Sequence, residues 1–228
     1  CSENGVPRSS VSDISNPAFQ QLIQDYLETK NIFPKSEADG DDYTYYFEKA
    51  ISSPSDRQAY IQELMKSSLP SYGHLVLASL AKISKAPIVW TTNFDKLYEN
   101  SIFKIYGTSN DLIVADLGEP EKASKAIDAR TAPLLVKLHG DFHSDRLKNT
   151  EQELQSQDEK MRTALSKACT TYGLCVIGYS GRDNSVMDVI IDAAGDKNNF
   201  PHGIFWFNKA GVEPLDNVTR LIETASSN

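Results

Sequence analysis

What is scarce in this sequence sets the first limits. The three cysteines, Cys1, Cys169 and Cys175, form no C-x-x-C pair, so neither a disulfide framework nor a thiolate zinc site is indicated, and a reducing compartment fits. No apolar stretch approaches the roughly 20 residues that span a bilayer, and no charged-then-apolar signal segment stands at the start. The expectation is a soluble, cytoplasmic protein without a membrane partner. Positive charge is also short: Lys and Arg total 23 against 31 Asp and Glu, a formal net charge of -8. Such a surface does not neutralise a phosphate backbone on its own, so any nucleic acid nearby would need a partner's basic groove. A starting methionine is missing, and the residues from Asn217 onward read as a helix barely begun. We therefore expect a piece of a longer polypeptide.

What is present is an ordinary globular composition, 40% hydrophobic and 24% charged over 228 residues, enough for one core with an insertion. Asn16 as N-cap, Pro17 at the first helical position, and Phe19, Leu22, Ile23, Tyr26 and Leu27 on one face predict a helix to Lys30. Further helices are predicted over Asp42 to Ser52, Ser55 to Lys66 and Ser71 to Ser84, which makes residues 16–84 an inserted helical subdomain. Beyond it, short apolar runs alternate with helical stretches: Ile88-Val89-Trp90, Leu112-Ile113-Val114, Leu134-Leu135-Val136, Leu174-Cys175-Val176-Ile177 and Ile204-Phe205-Trp206-Phe207. That alternation predicts an α/β fold, a Rossmann-like parallel sheet with helices on both faces. The helix before the fourth run carries a capping box at Thr150 and Glu153, with Gly173 as its stop.

Three separated segments each follow such a run: Thr91-Thr92-Asn93-Phe94-Asp95, Leu138-His139-Gly140 and Gly178-Tyr179-Ser180. Open α/β sheets bind ligands beyond the carboxyl ends of their strands, where polar side chains from distant parts of the chain converge. Asn93 has two uses there, capping a helix over Asp95 to Tyr98 or holding a ligand. His139 is either a loop histidine satisfied by a hydrogen bond or a group poised for proton transfer near neutral pH. His139, Asp141 and His143 have metal-ligand chemistry, but Gly140 and its turn-like surroundings argue against a helix that would align residues i and i+4, and no metal is expected. Gly178-Tyr179-Ser180-Gly181 fails as a nucleophile elbow because Arg182 stands where a second glycine is required. It reads either as a loop whose free backbone N–H groups suit a phosphate or as an ordinary strand-to-helix turn. Asp183 can cap the helix that follows.

Taken in order, and with Cys1-Ser2-Glu3-Asn4-Gly5-Val6-Pro7 at the start, these segments resemble the sirtuin-like domains of bacterial antiviral defence proteins over essentially the whole chain. Thr92-Asn93-Phe94-Asp95 resembles the sirtuin Gln-Asn-Ile-Asp segment, Leu138-His139-Gly140 its His-Gly, Gly178-Tyr179-Ser180 its Gly-Thr-Ser loop, and Phe207-Asn208 its ribose-binding Ile-Asn pair. The resemblance implies that the first strand and the diphosphate-binding glycines lie just upstream of Cys1. It implies catalytic roles for Asn93, His139 and Asp95, and contacts to NAD from Ser2, Pro7, Thr92, Gly178, Ser180, Asp183 and Asn208. Deacylating sirtuins carry two zinc-binding cysteine pairs between the His-Gly and Gly-Thr-Ser segments. Here that interval holds no such pairs, so no zinc is expected and NAD itself becomes the expected substrate, hydrolysed to nicotinamide and ADP-ribose. The defence relatives further imply a homo-oligomer or complex, with an attached sensing domain or a partner protein, a short Argonaute carrying guide nucleic acid among them. Two alternatives stand beside the hydrolase: a domain that binds NAD or ADP-ribose without turning it over, and a zinc-free NAD-dependent deacylase.

Overall fold

The computed structural model describes residues 16–29, 50–51, 53–66, 68–138 and 151–227, some of them within helices by their backbone only. The chain divides into two compact units, Cys1–Ser67 and Ser68–Asn228. In the first, α1 (Pro17–Thr29) starts where Asn16 Oδ1 accepts the Ala18 amide hydrogen at 2.9 Å, as its N-cap signal predicts. Helix α2 (Pro54–Lys66) also opens on proline, whose missing N–H costs nothing in a first turn. The helix predicted over Asp42 to Ser52 lies almost entirely outside the described residues.

The second unit alternates helix and strand: α3 (Tyr72–Lys82), β1 (Ile88–Thr91), α4 (Leu97–Tyr106), β2 (Ile113–Ala115), α5 (Pro120–Asp128), β3 (Leu134–Lys137), α6 (Glu151–Cys169), β4 (Leu174–Ile177), α7 (Asn184–Ala194), β5 (Ile204–Phe207) and α8 (Asp216–Ser226). All five predicted strands form, and every pairing between them is parallel. They make two sheets, one ordered β1-β3-β2 and one pairing β4 with β5. The whole is a mixed α/β architecture of parallel sheets flanked by helices, Rossmann-like in kind.

Strand β3 is central in its sheet and buried along its whole length, and successive side chains of a strand point to opposite faces. Leu134 and Val136 pack with Ala123, Ala126 and Ile127 of α5 and Met161, Ala164 and Ala168 of α6. Leu135 packs the other way, against Ala78 and Ala81 of α3 and Tyr98 and Ile102 of α4. Burying each of the larger apolar side chains contributes about 1.5–3 kcal/mol. Helix α3, predicted as the last part of a helical block ending at Ser84, thus packs within the unit that holds the strands.

A third cluster joins Leu165 and Cys169 of α6 to Val186, Met187, Ile190 and Ile191 of α7 and Val218 and Leu221 of α8, with Trp90, Leu138, Tyr179 and Trp206 packed against it. One stretch of sheet surface stands exposed among the described residues. Cys175 and Ile177 sit opposite Phe205 and Phe207 in the β4–β5 register, and all four are exposed, Ile177 at 71%. Their neighbours Leu174, Ile204 and Trp206 face the core instead. The alternation of the pleat sends one set to the helices and leaves the other open. Gly173, expected to stop α6, lies beyond its end at Cys169 and serves a close approach: a Cβ there would meet the Gly203 carbonyl oxygen and His202 Cβ at 2.8 Å.

Candidate functional site

Register decides which site segments become neighbours. Thr91 at the end of β1 lies opposite Lys137 at the end of β3, and the Leu138 amide donates to the Thr91 carbonyl at 2.9 Å. The segment carrying Thr92, Asn93 and Asp95 therefore leaves the sheet beside the strand that leads into His139. In the second sheet Ile177 lies opposite Phe207, so Gly178 and Asn208 leave side by side. All four segments stand at the carboxyl ends of parallel strands, the position where open α/β sheets gather their ligand groups. His139, Gly140, Ser2 and Pro7 lie outside the described residues, as do Asp141 and His143.

The two readings of Asn93 are separated by what its neighbours do. Helix α4 begins at Leu97 rather than at Asp95, and the Asp95 carboxylate accepts the Leu97 amide hydrogen at 2.8 Å. Asn93 is exposed; its own amide donates to Thr91 Oγ1 at 3.0 Å. The helix-capping reading of Asn93 is thereby overturned, because the first amide of α4 is satisfied by Asp95. Thr92 is half-buried beside it.

Sequence reasoning passed over Lys137. Its side chain is fully buried, Nζ donates to the main-chain oxygen of Asp95 at 2.9 Å, and the ammonium pairs with Glu99 Oε1 at 2.8 Å. The signal was available: a lysine inside an apolar run that forms a central strand has no route to water and must find a charged or polar partner inside. Which partner it finds was not available, because Glu99 comes from another element.

The Gly178–Asp183 loop is shaped by glycine and by its caps. Gly178 has φ +70° with open space where a Cβ would stand, and Gly181 has φ +79° with Val218 Cγ2 only 2.8 Å from such a Cβ. Left-handed backbone of this kind favours glycine. Among the described residues, no backbone hydrogen bond engages the amides of Tyr179, Ser180 or Gly181, so these donors fit an anionic group of the phosphate kind. Asp183 caps α7 as predicted, Oδ1 accepting the Ser185 amide hydrogen at 2.8 Å. Its carboxylate thus occupies a donor at the helix start and sets a negative charge there, which shifts any phosphate contact from the helix end to the loop amides. Ser180 is exposed.

Tyr179 is a packing side chain: it leans on Trp206 with ring centroids 6.0 Å apart, and its hydroxyl donates to the Asp183 carbonyl at 3.4 Å. Burial, with the Asp183 charge beside it, raises the phenol pKa and keeps it neutral. Asn208 Nδ2 donates to the Val212 carbonyl at 2.5 Å, closing its own loop. A second residue that sequence reasoning passed over is Asn217, whose Nδ2 donates to the Gly181 carbonyl at 3.1 Å and to Asn184 Oδ1 at 2.8 Å.

Compared with known families, the chain matches the model of the SIR2-like domain over residues 87–225. That span runs from β1 into α8, short of its last residue, and holds every candidate residue except Ser2 and Pro7. No curated protein matches the chain. The match covers more than half of the 228 residues, and the chain belongs to the SIR2-like domain family, a family of NAD-binding domains.

Proposed function

We propose that this domain is an NAD hydrolase that releases nicotinamide and ADP-ribose, and that it acts as an NAD-depleting effector of antiviral defence. The observation that carries the reading is the division of labour at the end of β1: Asp95 satisfies the start of α4, and the exposed Asn93 stands beside the strand that leads into His139. The absence of paired cysteines between His139 and Gly178 favours NAD itself over an acylated peptide as the second reactant.

The chemistry asks little of an acid. Nicotinamide leaves from a pyridinium that already carries positive charge, so catalysis reduces to orientation, stabilisation of developing charge and acceptance of one proton. A neutral amide cannot be that base. Asn93 holds the ribose or the incoming water, and His139 accepts the proton from water or a ribose hydroxyl, as imidazole general bases do. Asp95 faces the carboxamide or the developing cation with its remaining carboxylate capacity. Thr92, Gly178, Ser180, Asp183 and Asn208, with Ser2 and Pro7 from the start of the chain, line the NAD site.

An unrestrained enzyme of this kind would exhaust its host, so the domain is held inactive until a sensing domain or partner protein, in an oligomer or complex, orders the site; residues 16–84 supply the contact. A short Argonaute bearing guide nucleic acid is one such partner. The test is to incubate the full-length protein and its activating assembly with NAD and follow nicotinamide by chromatography. Asn93→Ala and His139→Ala proteins that release nicotinamide as fast as the parent would remove the catalytic assignment. Intact NAD bound tightly with no product formed would replace the hydrolase with a binding domain.

A further inference from the structure

We infer that Lys137 is a positioning residue, a buried strap that fixes the Asn93 loop against the strand leading to His139. The inference rests on the proposed reading of the site, and it names how that site is held in register. Lys137 shares a face of β3 with Leu135, the face that α3 and α4 cover. From there its ammonium bonds the Asp95 carbonyl, two residues past Asn93, and pairs with Glu99 in the first turn of α4. The same lysine lies two residues before His139 in sequence. One side chain thus ties the segment that carries the proposed amide to the strand whose sequence runs on to the proposed base.

The chemistry of the contact supports positioning over generic stability. A carbonyl at the end of a loop is a directional acceptor, so the bond fixes where the loop backbone lies as well as whether it is folded. A charged donor held away from water makes a stronger, shorter bond than a neutral one. Glu99 answers the lysine's charge with one oxygen, while its Oε2 is buried and has no hydrogen-bond partner among the described residues. An apolar pair of the same volume would avoid that loss and pack as well. The retained ion pair makes sense as a device for aiming the lysine at the Asp95 carbonyl.

The experiment uses the full-length protein, comparing the parent with Lys137→Met, Lys137→Arg and Glu99→Gln by amide hydrogen exchange and by nicotinamide release. The expected result is exchange at Asn93 and Leu97 faster by about tenfold or more in Lys137→Met, with α7 unchanged, as for local loosening of one segment. Release by Lys137→Met falls about 10²-fold in kcat with KM nearly constant, the signature of misplaced groups with binding retained. Lys137→Arg recovers part of both, because it keeps a charged donor. Unchanged exchange at Asn93 and Leu97 overturns the strap whether or not the protein turns over NAD, and faster exchange with unchanged kcat overturns its positioning role. A parent that releases no nicotinamide removes the reading of function, while the exchange data still decide the strap. Should Lys137→Met fail to fold, the milder Glu99→Gln gives the same readouts.

Discussion

Asp95 and Leu97 form the hinge of the candidate site: the carboxylate of one accepts the amide hydrogen of the other at 2.8 Å, which closes the turn between β1 and α4. Removing a cap of this kind costs about 1 kcal/mol, a fall of about 2–4 °C in Tm for a domain of this size. Asp95→Ala should show that loss in thermal unfolding. Asp95→Asn keeps an acceptor and should keep the stability, yet it loses the charge proposed to face the developing cation, so nicotinamide release should drop about tenfold or more in both variants while Tm falls only in Asp95→Ala.

Asn93→Ala should separate stability from activity most cleanly. The side chain is exposed and relieved of helix capping, and surface changes away from such features stay within about 0.5 kcal/mol. Denaturant midpoints should therefore match the parent, while nicotinamide release falls about 10²-fold, the usual loss for a preorganised polar contact. A shifted midpoint would point to a structural duty for the amide.

The two glycines of the loop before α7 should differ in cost. Both hold positive φ, so alanine is strained at either; at Gly178 that strain, about 1 kcal/mol, is the whole penalty. At Gly181 the added methyl also meets Val218 Cγ2 at 2.8 Å, and overpacking of this kind costs a further 1–3 kcal/mol or so. Urea denaturation of Gly178→Ala and Gly181→Ala should rank them in that order. Equal losses would mean that α8 gives way without cost.

Burial pushes the Cys169 thiol up to about 12, whereas Cys175 lies exposed on the open face of β4. An alkylating reagent at pH 8 should label Cys175 and spare Cys169 in the native protein, as peptide mapping would show, because the thiolate is the reactive form. The same shift has a stability consequence. Unfolded, the thiol loses its proton near 8.5 or so; folded, it keeps it, so the contribution is complete below that value and shrinks as pH rises toward about 12. Tyr98 and Tyr179, both raised mainly by burial, act in the same direction at higher pH. Urea midpoints at pH 8, 9 and 10 should fall in order.

The helices and strands were legible because their signals are local. Asn16 and Pro17 announce α1, Asp183 announces α7, and short apolar runs announce each strand. Choosing between Asn93 and Asp95 as the partner of the Leu97 amide was not local in the same sense: two capable residues stand two apart, and only the path of the backbone decides. The pairing of Lys137 with Glu99 joins elements far apart in sequence, so composition could flag the buried charge but not its counter-ion. The open face of β4–β5 was hidden for a different reason. Ile177 and Phe207 are as apolar as the residues that face the core, and nothing in a run of apolar residues says which alternate set will be covered. The places of the Thr92, Gly178 and Asn208 segments were legible because strand ends fix them, and Asn217 escaped because its bond goes to Gly181, on a different loop.

That bond from Asn217 to the Gly181 carbonyl sets a lower limit on how short a working form of this domain can be. Helix α8 carries both the amide that holds the loop and Val218 and Leu221, which sit buried in its core. A truncation before Asp216 would leave the remaining strands and α7 intact in sequence while removing the support that shapes the turn before α7. The family match runs to residue 225, so it takes in the helix whose Asn217 completes the turn before α7.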